Sequence, residues 1–590
     1  MDMLMPAVKQ LLPPGASQHG SHGAHILQML SRQEAILLQL RSACQIEVTC
    51  LPCGQGEWAS FLIWAPGSPT RSLAVGVTSI LSLALFHNMG RGITDVASLR
   101  VKNLSSMKTL LFLPPEPARI RWGCWTKDLQ QFCWEHRQRQ GYGTQELQVF
   151  NTSTSEEPAK PAASLTRPYL LPAAKPCVEI GMLLVQLPAH VAALDMQTLE
   201  EQFCAYPPSG MDRAFGNTTC PLQCVWSPGG GSFSVAWGTP APDNNKRVNG
   251  GLFTGVSVHD TCSQRCLALA CPFADRTGVH VFLTWSPTAS HLFIQVFTDN
   301  HPGCSDGIAL MDMTGSCHVL QELHDSKVQL VAGFSSCGRF LHAATEPTPY
   351  LNEEDLPFTI RGFIYDVQST QKLFHWEHSV DDDVDCQNEF IWASAANACY
   401  LQSCSTVLSW PSADCNVPEI ARLWSHSKSG PAVLSPCGKL HVSTQTPCAL
   451  YTTLGHDVDI THSSAMPPSH QLWHSSVTPG ASTCEAHIAA ESEHQFQLGS
   501  IAWHPNPAGG CLYAIMNAGG DLLIIDGRQH RCVRSWKWCQ LASQAPFHCL
   551  PGARLPRLKW SPDGSRLVMA AFGATTILSF GGSAVLAASD

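Results

Sequence analysis

The sequence predicts an all-β protein built from a repeated unit of short strands. Three observations support this: a tight turn of the type Ser-Pro-x-Gly recurs along the chain, an aspartate recurs at the end of a later apolar segment, and helical periodicity is confined to one segment near the start. With 44% hydrophobic and 14% charged residues, the composition is that of a globular protein. The 590 residues would accommodate two to four domains or one large repeat array.

The repeated turn follows an apolar or aromatic residue, which we call the anchor. Proline fixes φ at the start of the turn and glycine supplies the positive φ that reverses the chain, so the anchor should end a core-facing strand. The seven anchors are Trp226, Trp285, Phe334, Trp392, Leu434, Trp503 and Trp560. Their spacing of 42 to 69 residues predicts loop insertions in several units.

A second pattern lies about 25 to 30 residues after several anchors, where an apolar strand ends in an acidic residue. The examples are Asp312, Asp366 and Asp526, and a polar turn and a further strand follow each of them. Together the two patterns resemble the WD40 repeat family over residues 220 to 585, most clearly at 558–568. The aspartate stands where that family usually has Trp-Asp, and no repeat has both a Gly-His and a Trp-Asp dipeptide.

The resemblance implies a WD40-like β-propeller of about seven or eight blades, with the ten residues above as structural repeat anchors. Residues 26–40 have helical apolar spacing, which predicts a short N-terminal helix. The expected organisation is an arm at 1–43, the first one or two blades at 44–153, a Pro/Ala-rich linker at 154–176, and blades at 177–585 with a polar His/Ser/Thr-rich loop insertion at 455–495.

Several clusters of potential metal ligands are interpreted as ordinary loops and buried thiols. Asp381, Asp383 and Asp385 alternate as in a calcium loop, but the glycine and the glutamate that such a loop needs are missing. The Cys-x-x-Cys at Cys50 and Cys53 has no second pair at matching spacing. The same interpretation covers Cys220, Cys224, Cys262, Cys266, Cys271 and the histidines 19, 22, 25, 456, 462, 470, 474, 487 and 494. No metal or cofactor is therefore expected.

Charge and hydropathy narrow the classes of partner. The net charge of −10 is mild and no long Lys/Arg run is present, so direct nucleic-acid binding has no support. The longest apolar stretch, residues 73–86, is too short to span a bilayer and predicts buried strands, so no membrane insertion is expected. The start of the sequence lacks the pattern of a secretory signal, so we expect mostly reduced cysteines and an intracellular protein, cytoplasmic or nuclear.

Two functions stay open at this point. The first is a non-catalytic scaffold that assembles a multiprotein complex through loops and rim, with protein partners of unknown identity and an oligomeric state that the sequence does not predict. The second is a propeller hydrolase or small-ligand binder with a site at the channel mouth. The familiar catalytic motifs, including Gly-x-Ser-x-Gly, the P-loop and His-Glu-x-x-His, are absent, so no catalytic residue is assigned and the first function is favoured.

Overall fold

The structure is a computed structural model. It describes residues 47–580 except 53–56, 65–71, 80–96, 104–108, 117, 129, 139–143, 153–159, 169–171, 210–218, 240–251, 274–278, 299–304, 323–327, 348–357, 381–389, 393–397, 402–405, 410–418, 423–431, 435–439, 445–471, 477–484, 489–495, 506–511, 518–521, 527–530, 538–540, 542–556, 562–563 and 572–573. The predicted N-terminal helix, the acidic Asp381–Asp385 segment and Cys53 lie outside the described residues, as do the histidines 19, 22, 25, 456, 462, 470 and 494.

The described residues form ten four-stranded sheets, which we number 1 to 10 along the chain, starting with the sheet that contains β2. The earliest described strand, β1 (Glu47–Pro52), belongs to sheet 10 together with the last three strands. Sheets 1 to 3 consist of β2 (Glu57–Trp64), β3 (Ser72–Ser79), β4 (Ala97–Asn103) and β5 (Thr109–Glu116); β6 (Ala118–Trp125), β7 (Gln131–Gln138), β8 (Thr144–Asn151) and β9 (Ala163–Pro168); and β10 (Lys175–Cys177), β11 (Met182–Gln186), β12 (Val191–Asp195) and β13 (Glu201–Ala205).

The same four-strand succession continues along the chain. Sheets 4 to 6 consist of β14 (Cys220–Trp226), β15 (Ser232–Thr239), β16 (Leu252–Asp260) and β17 (Cys266–Ala270); β18 (Val279–Trp285), β19 (His291–Thr298), β20 (Ser305–Asp312) and β21 (Cys317–Glu322); and β22 (Val328–Phe334), β23 (Phe340–Pro347), β24 (Phe358–Asp366) and β25 (Lys372–Val380). A short 3-10 turn, Pro228–Gly230, connects β14 to β15.

The last four sheets are built in the same way. Sheets 7 to 10 consist of β26 (Phe390–Trp392), β27 (Ala398–Leu401), β28 (Thr406–Ser409) and β29 (Glu419–Arg422); β30 (Ala432–Leu434), β31 (Leu440–Thr444), β32 (Leu472–Ser476) and β33 (Glu485–Ile488); β34 (Phe496–Trp503), β35 (Leu512–Asn517), β36 (Leu522–Asp526) and β37 (Arg531–Trp536); and β38 (Arg557–Trp560), β39 (Arg566–Ala571), β40 (Ala574–Ser579) and β1.

This arrangement confirms the predicted all-β class, with the four-stranded sheet of a propeller blade as the repeating unit. Within each of sheets 2 to 6, the strands pair antiparallel in sequence order. Sheet 10 differs because its fourth strand comes from the other end of the described chain, where β1 pairs with β40 from Glu47 opposite Ser579 to Pro52 opposite Ala574.

Ten sheets are described where the sequence led us to expect seven or eight blades. Each of the seven anchors is the last residue of the first strand in its sheet, from Trp226 in sheet 4 to Trp560 in sheet 10. The three further sheets begin with strands ending at Trp64, Trp125 and Cys177, none of which is followed by Ser-Pro. The first strands of two of these sheets lie within residues 44–153, where one or two blades were expected, and the third begins at β10, within the segment interpreted as a linker. Their strand order is the same as that of the other sheets.

Two segments interpreted as linker or insertion contain strands of these sheets. Within 154–176, β9 pairs with β8 and β10 begins sheet 3. Within 455–495, β32 pairs with both β31 and β33. Two of the strands in these segments, β9 and β33, are fourth strands, which have a neighbour on one side only and therefore tolerate polar and proline-rich sequence that hides them from hydropathy patterns. The predicted domain boundaries stay predictions.

The chain divides into two compact units, Met1–Met89 with Leu104–Ser106 and Ile391–Asp590, and Gly90–Asn103 with Met107–Phe390. Sheets 2 to 6 lie in the second unit, and its core consists of apolar side chains between successive sheets. Between sheets 4 and 5, for example, Phe253, Val258, Leu283 and Ile294 are buried in one cluster. Full burial of each such side chain contributes about 1.5 to 3 kcal/mol, so packing between sheets is the main source of stability.

Sheets 8 to 10 lie in the first unit. There Leu512, Ile524, Trp560 and Leu567 form a buried cluster between sheets 9 and 10. Among the described residues, no helix is long and apolar enough to cross a membrane.

Candidate interaction surface

In several of the described sheets, the turn after the first strand is closed by the side chain of the residue that directly follows that strand. In sheet 4 the Ser227 Oγ accepts a hydrogen bond from the Ser232 backbone N–H at 3.0 Å and donates to the Ser232 carbonyl at 2.8 Å. Ser561 makes the same pair of contacts with Arg566 in sheet 10, and Thr126 makes it with Gln131 in sheet 2. The repeated serine is therefore a hairpin clamp, and its role is structural.

Neighbouring turns also contact each other from sheet to sheet. Gly564, at φ +71°, lies against the His504 ring, and a Cβ on it would be 2.2 Å from His504 Nε2. The same ring nitrogen is 3.1 Å from the Gly564 carbonyl oxygen. In the other unit, Gly338 approaches Thr288 in the preceding turn at 3.2 Å by the same measure. Glycine is needed at these positions both for the positive φ and for the close approach.

The anchor tryptophans connect sheets through hydrogen bonds. The Trp226 Nε1 donates to the Lys175 carbonyl of sheet 3 at 2.8 Å, and the Trp560 Nε1 donates to the Ala502 carbonyl of sheet 9 at 3.1 Å. Trp285 and Phe334 pack in the clusters between sheets. Trp503 packs on Tyr513 with ring centres 4.7 Å apart. Trp392 and Leu434 are the last residues of β26 and β30.

The three predicted aspartates end third strands, and two of them organise the turn that follows. The Asp312 carboxylate accepts hydrogen bonds from the backbone N–H groups of Thr314 and Ser316 at 2.8 and 2.9 Å. Asp366 does the same for Ser369 at 2.8 Å and also binds Arg339 at 3.1 Å. The Thr314 hydroxyl and these N–H donors hold the pKa of Asp312 below its usual value, so it stays ionised. Asp526, the third of them, is buried at the end of β36.

A serine and a histidine in sheet 4 have the spacing of a nucleophile and its base. The Ser257 Oγ is 2.8 Å from His259 Nε2 and accepts a hydrogen bond from Trp237 Nε1 at 2.7 Å, while Phe233 stacks on the His259 ring at 5.1 Å. Ser257 has no exposed surface and His259 is 5% exposed, so no substrate can reach the pair. Burial lowers the pKa of His259 to about 4, and the neutral ring is part of a structural relay.

A buried ion pair holds sheet 2 together. Arg167 on β9 lies 3.1 Å from Glu135 on β7, and both side chains are almost fully buried. The second Glu135 oxygen accepts hydrogen bonds from Trp122 Nε1 at 2.8 Å and from the Ala174 backbone N–H at 3.0 Å, while Arg167 donates to Gln145 at 2.9 Å. Such a dry, paired arrangement fixes strand positions and offers no opening to a ligand.

The cysteines do not all match the expectation of buried thiols. No described cysteine is in a disulfide, and burial raises the pKa of Cys124 and of Cys224 to about 12. In contrast, Cys262, Cys266 and Cys271 are exposed, because β17 is a fourth strand and the turn before it faces solvent. The prediction that this trio is buried is therefore wrong.

The exposed apolar side chains of the described residues are concentrated in sheets 3 to 5. Leu267 and Leu269 on β17 are 48% and 42% exposed, and Val319 on β21 is 45% exposed. We call these three residues the apolar stripe. Tyr206, directly after β13, and Phe282 on β18 are the other large apolar residues with this much exposure. Isolated exposed leucines are ordinary on protein surfaces, but a cluster on adjoining strands is not.

The strand register shows that the stripe repeats at one position of the blade. Leu269 lies opposite Ser257, which is three residues before the aspartate that ends β16. Val319 lies opposite Ala309, three residues before the aspartate that ends β20. The turn at Gly315 in sheet 5 packs 3.4 Å from the Leu269 backbone, measured from the position of an added Cβ, so the two strands adjoin.

The equivalent position is polar in sheets 2, 6 and 9. It is His375, opposite Phe363, in sheet 6 and Ser535, opposite Leu523, in sheet 9. In sheet 2 it is Ser164, opposite Gln148. All three side chains are exposed. The position therefore faces solvent in these three sheets as it does in sheets 4 and 5, where it is apolar.

The sequence alone does not reveal this surface, because strand pairing decides which leucines of β17 face outward. Alternating apolar residues in a fourth strand after an anchor and an aspartate are the one signal that could have pointed to it.

Comparisons with known proteins give fold likenesses of low score. No protein-family profile matches the sequence, and no curated protein is significantly similar to it. Among solved structures, the chain is similar to a eukaryotic initiation factor, with a TM-score of 0.41, 10% identity and 73% of this chain and 88% of that one covered. It is also similar to the Dos1 propeller, with a TM-score of 0.39, 10% identity and 90% of this chain and 96% of that one covered. A third similar structure is the Cps50 (Swd1) propeller domain of Myceliophteria thermophila, with a TM-score of 0.31, 10% identity and 60% of this chain and 96% of that one covered. These likenesses assign no function to this chain.

Proposed function

We propose that this protein is a non-catalytic scaffold, a WD40-like propeller that assembles a multiprotein complex, and that the apolar stripe is one of its contact surfaces. The observation that carries the proposal is the recurrence of exposed apolar side chains at the same blade position in two adjoining sheets, where sheets 2, 6 and 9 have serine or histidine. Covering exposed apolar residues with a partner removes them from water, and this burial favours binding.

The partner surface that fits the stripe is an apolar segment of another protein. On β17 the outward side chains are Leu267 and Leu269, with Cys266 exposed beside them, so the strand offers no charge for an anionic ligand such as a phosphate. Covering the remaining exposed half of each leucine contributes about 1 kcal/mol. The two leucines together therefore account for about a 30-fold change in affinity.

Two polar clusters of the described structure support a scaffold because they are closed to a substrate. The Ser257–His259 pair and the Glu135–Arg167 pair are both buried. A propeller of this kind offers rigid surfaces, and rigid surfaces bind partners at low entropic cost. The intracellular location, cytoplasmic or nuclear, stays a prediction.

The test compares complexes recovered with the full-length protein and with two matched variants. Tagged wild type, the double variant Leu267→Glu/Leu269→Glu and the control His375→Glu are each purified from cells under gentle conditions and analysed by quantitative mass spectrometry. His375 occupies the Leu269 position in sheet 6, so the control adds a charge at the same register.

We expect at least one stoichiometric protein to be recovered with wild type and with His375→Glu and to be depleted about 30-fold in the double variant. The proposal is overturned if every recovered protein is retained by the double variant, or if both variants lose the same proteins equally. Circular dichroism of the purified variants checks that each keeps its strand content.

A further inference from the structure

Sheet 3, which contains no residue of the apolar stripe, has a cluster of three potential metal ligands around its fourth strand. His190 precedes β12, and Glu201 and Cys204 lie on β13. Their ligand atoms, one imidazole nitrogen, one carboxylate oxygen and one thiol sulfur, all lie within 4.8 Å of one another. His190 and Cys204 are partly exposed and Glu201 is exposed, so an ion can enter from solvent.

A β-bulge brings two of these side chains to the same face. In a regular strand, residues three apart point to opposite faces. Here Ala192 pairs with Cys204 and Leu194 pairs with Glu201, while the register shifts between Ala193 and Leu194. Since Ala192 and Leu194 share one face of β12, their partners Cys204 and Glu201 share it too.

His190 reaches the same face from the neighbouring strand. It stands two residues before Ala192, and its carbonyl accepts a hydrogen bond from the Leu187 backbone N–H at 2.9 Å, which closes the tight turn before β12. The His190 ring stacks on Tyr206 with ring centres 5.1 Å apart and an angle of 28°. This contact orients the imidazole in the way that outer residues commonly orient a metal ligand.

We propose that His190, Glu201 and Cys204 form a binding site for a divalent zinc-type ion. Nitrogen, oxygen and sulfur donors together are the set that zinc takes, and three protein ligands leave a fourth, tetrahedral position for water. Ligand atoms around tetrahedral zinc are about 3.3 to 3.8 Å apart. Small side-chain rotations that close the present separations by about 1 Å therefore complete the site.

The ion binds the thiolate, so its entry displaces the thiol proton, which leaves to solvent. The proposed ion site is independent of the scaffold proposal.

The sequence hides this site because its ligands follow no compact motif. The spacing His-x10-Glu-x2-Cys spans two strands, and the bulge that aligns Glu201 with Cys204 exists only once β12 and β13 pair. Sheet 4 has Leu269 at the Cys204 position and Cys266 at the Glu201 position, so it offers a matched strand without the ligand set.

The test follows the reactivity of single cysteines in the full-length, reduced and chelator-treated protein. Alkylation by iodoacetamide is measured by mass spectrometry for each cysteine-containing peptide, with and without Zn²⁺. We expect Zn²⁺ to slow alkylation of Cys204 by at least about tenfold while the exposed Cys262 is modified at an unchanged rate.

Variants assign the effect to the three ligands. His190→Ala and Glu201→Gln should each weaken Zn²⁺ protection of Cys204 by at least about tenfold, whereas Cys266→Ser should leave it unchanged. Tyr206→Leu should weaken protection and Tyr206→Phe should retain it, because the stacked ring and not the hydroxyl orients His190. The proposal is overturned if Zn²⁺ protects Cys204 equally in the His190 and Glu201 variants, or if it protects all exposed cysteines alike.

Discussion

The turns after the first strands and the fourth strands of the sheets follow opposite rules. The turns repeat one chemistry: Ser227, Ser561 and Thr126 close hairpins with the same pair of hydrogen bonds in three different sheets. The fourth strands differ at a single register position, from Leu269 to His375. The difference separates residues that make the fold from residues that distinguish one blade from another.

This contrast has a physical origin in burial. The turn residues are enclosed by the neighbouring sheet, so any change leaves an unpaired polar group or a clash. The fourth strand has solvent on one side, so its outward residues can change without loss of stability. Selection for binding can therefore act on the fourth strand with little effect on folding.

The largest effect is expected for Gly564→Ala, which places a Cβ against the buried His504 ring at a positive φ. We expect a loss of about 3 kcal/mol in the free energy of unfolding, measured by chemical denaturation of the full chain. Gly181→Ala is the control, since φ is +70° there but nothing lies within 4 Å of the new Cβ, and it should cost about 1 kcal/mol. Equal losses would show that the contact between turns contributes nothing.

For each buried, uncharged histidine, a loss comparable to that of Gly564→Ala is expected from acid. Burial lowers the pKa of His342 to about 3 and that of His259 to about 4. In the unfolded chain, histidine has its ordinary pKa of about 6.5. Between that pH and the lowered pKa values of the two folded histidines, the unfolded chain therefore binds more protons than the folded chain. Stability should be complete above pH 6.5 and fall by about 1.4 kcal/mol per pH unit per histidine as the pH drops towards 4.

Substitution separates this contribution from that of the carboxylates. His342→Gln removes one titrating ring and should reduce the slope of unfolding free energy against pH between 6.5 and 4, whatever it does to stability at pH 7. An unchanged slope in His342→Gln would contradict the assignment.

A smaller loss is expected for Ser227→Ala, which removes both hydrogen bonds across the first turn of sheet 4. The buried Ser232 N–H then lacks its partner, at a cost of about 1 to 2 kcal/mol in unfolding free energy. Ser227→Thr should cost less, because Thr126 makes the same contacts in sheet 2. Thermal unfolding of both variants measures the difference, and a threonine variant as unstable as the alanine one would refute the clamp.

The smallest effect on stability is expected for the stripe itself. Leu267→Glu/Leu269→Glu should change the free energy of unfolding by no more than about 0.5 kcal/mol, because both side chains already face solvent. The same denaturation experiment measures it. A loss as large as that of Ser227→Ala would mean that the leucines support the core and are not a contact surface.

Much of the fold was open to prediction because the turns carry a local signal. Proline, glycine and serine act within a few residues of each other, so the seven anchors from Trp226 to Trp560 could be located without any tertiary information. The aspartates that end β20 and β24 are local signals for the same reason, since each accepts hydrogen bonds from the backbone of its own turn. Asp526, which ends β36, is buried. Sheets 1 and 2 were expected only as one or two blades within 44–153, and sheet 3 was not located, because the strand that ends at Cys177 is not followed by Ser-Pro.

The sequence by itself therefore determined the all-β class, the repeated hairpin and the positions where most sheets begin, because these depend on contacts between residues close in the chain. Only the tertiary structure decided that β1 completes sheet 10, that Leu269 and Val319 share one blade position, and that a bulge unites His190, Glu201 and Cys204. Each of these depends on strand register, and a shift of one residue would turn every such side chain to the opposite face.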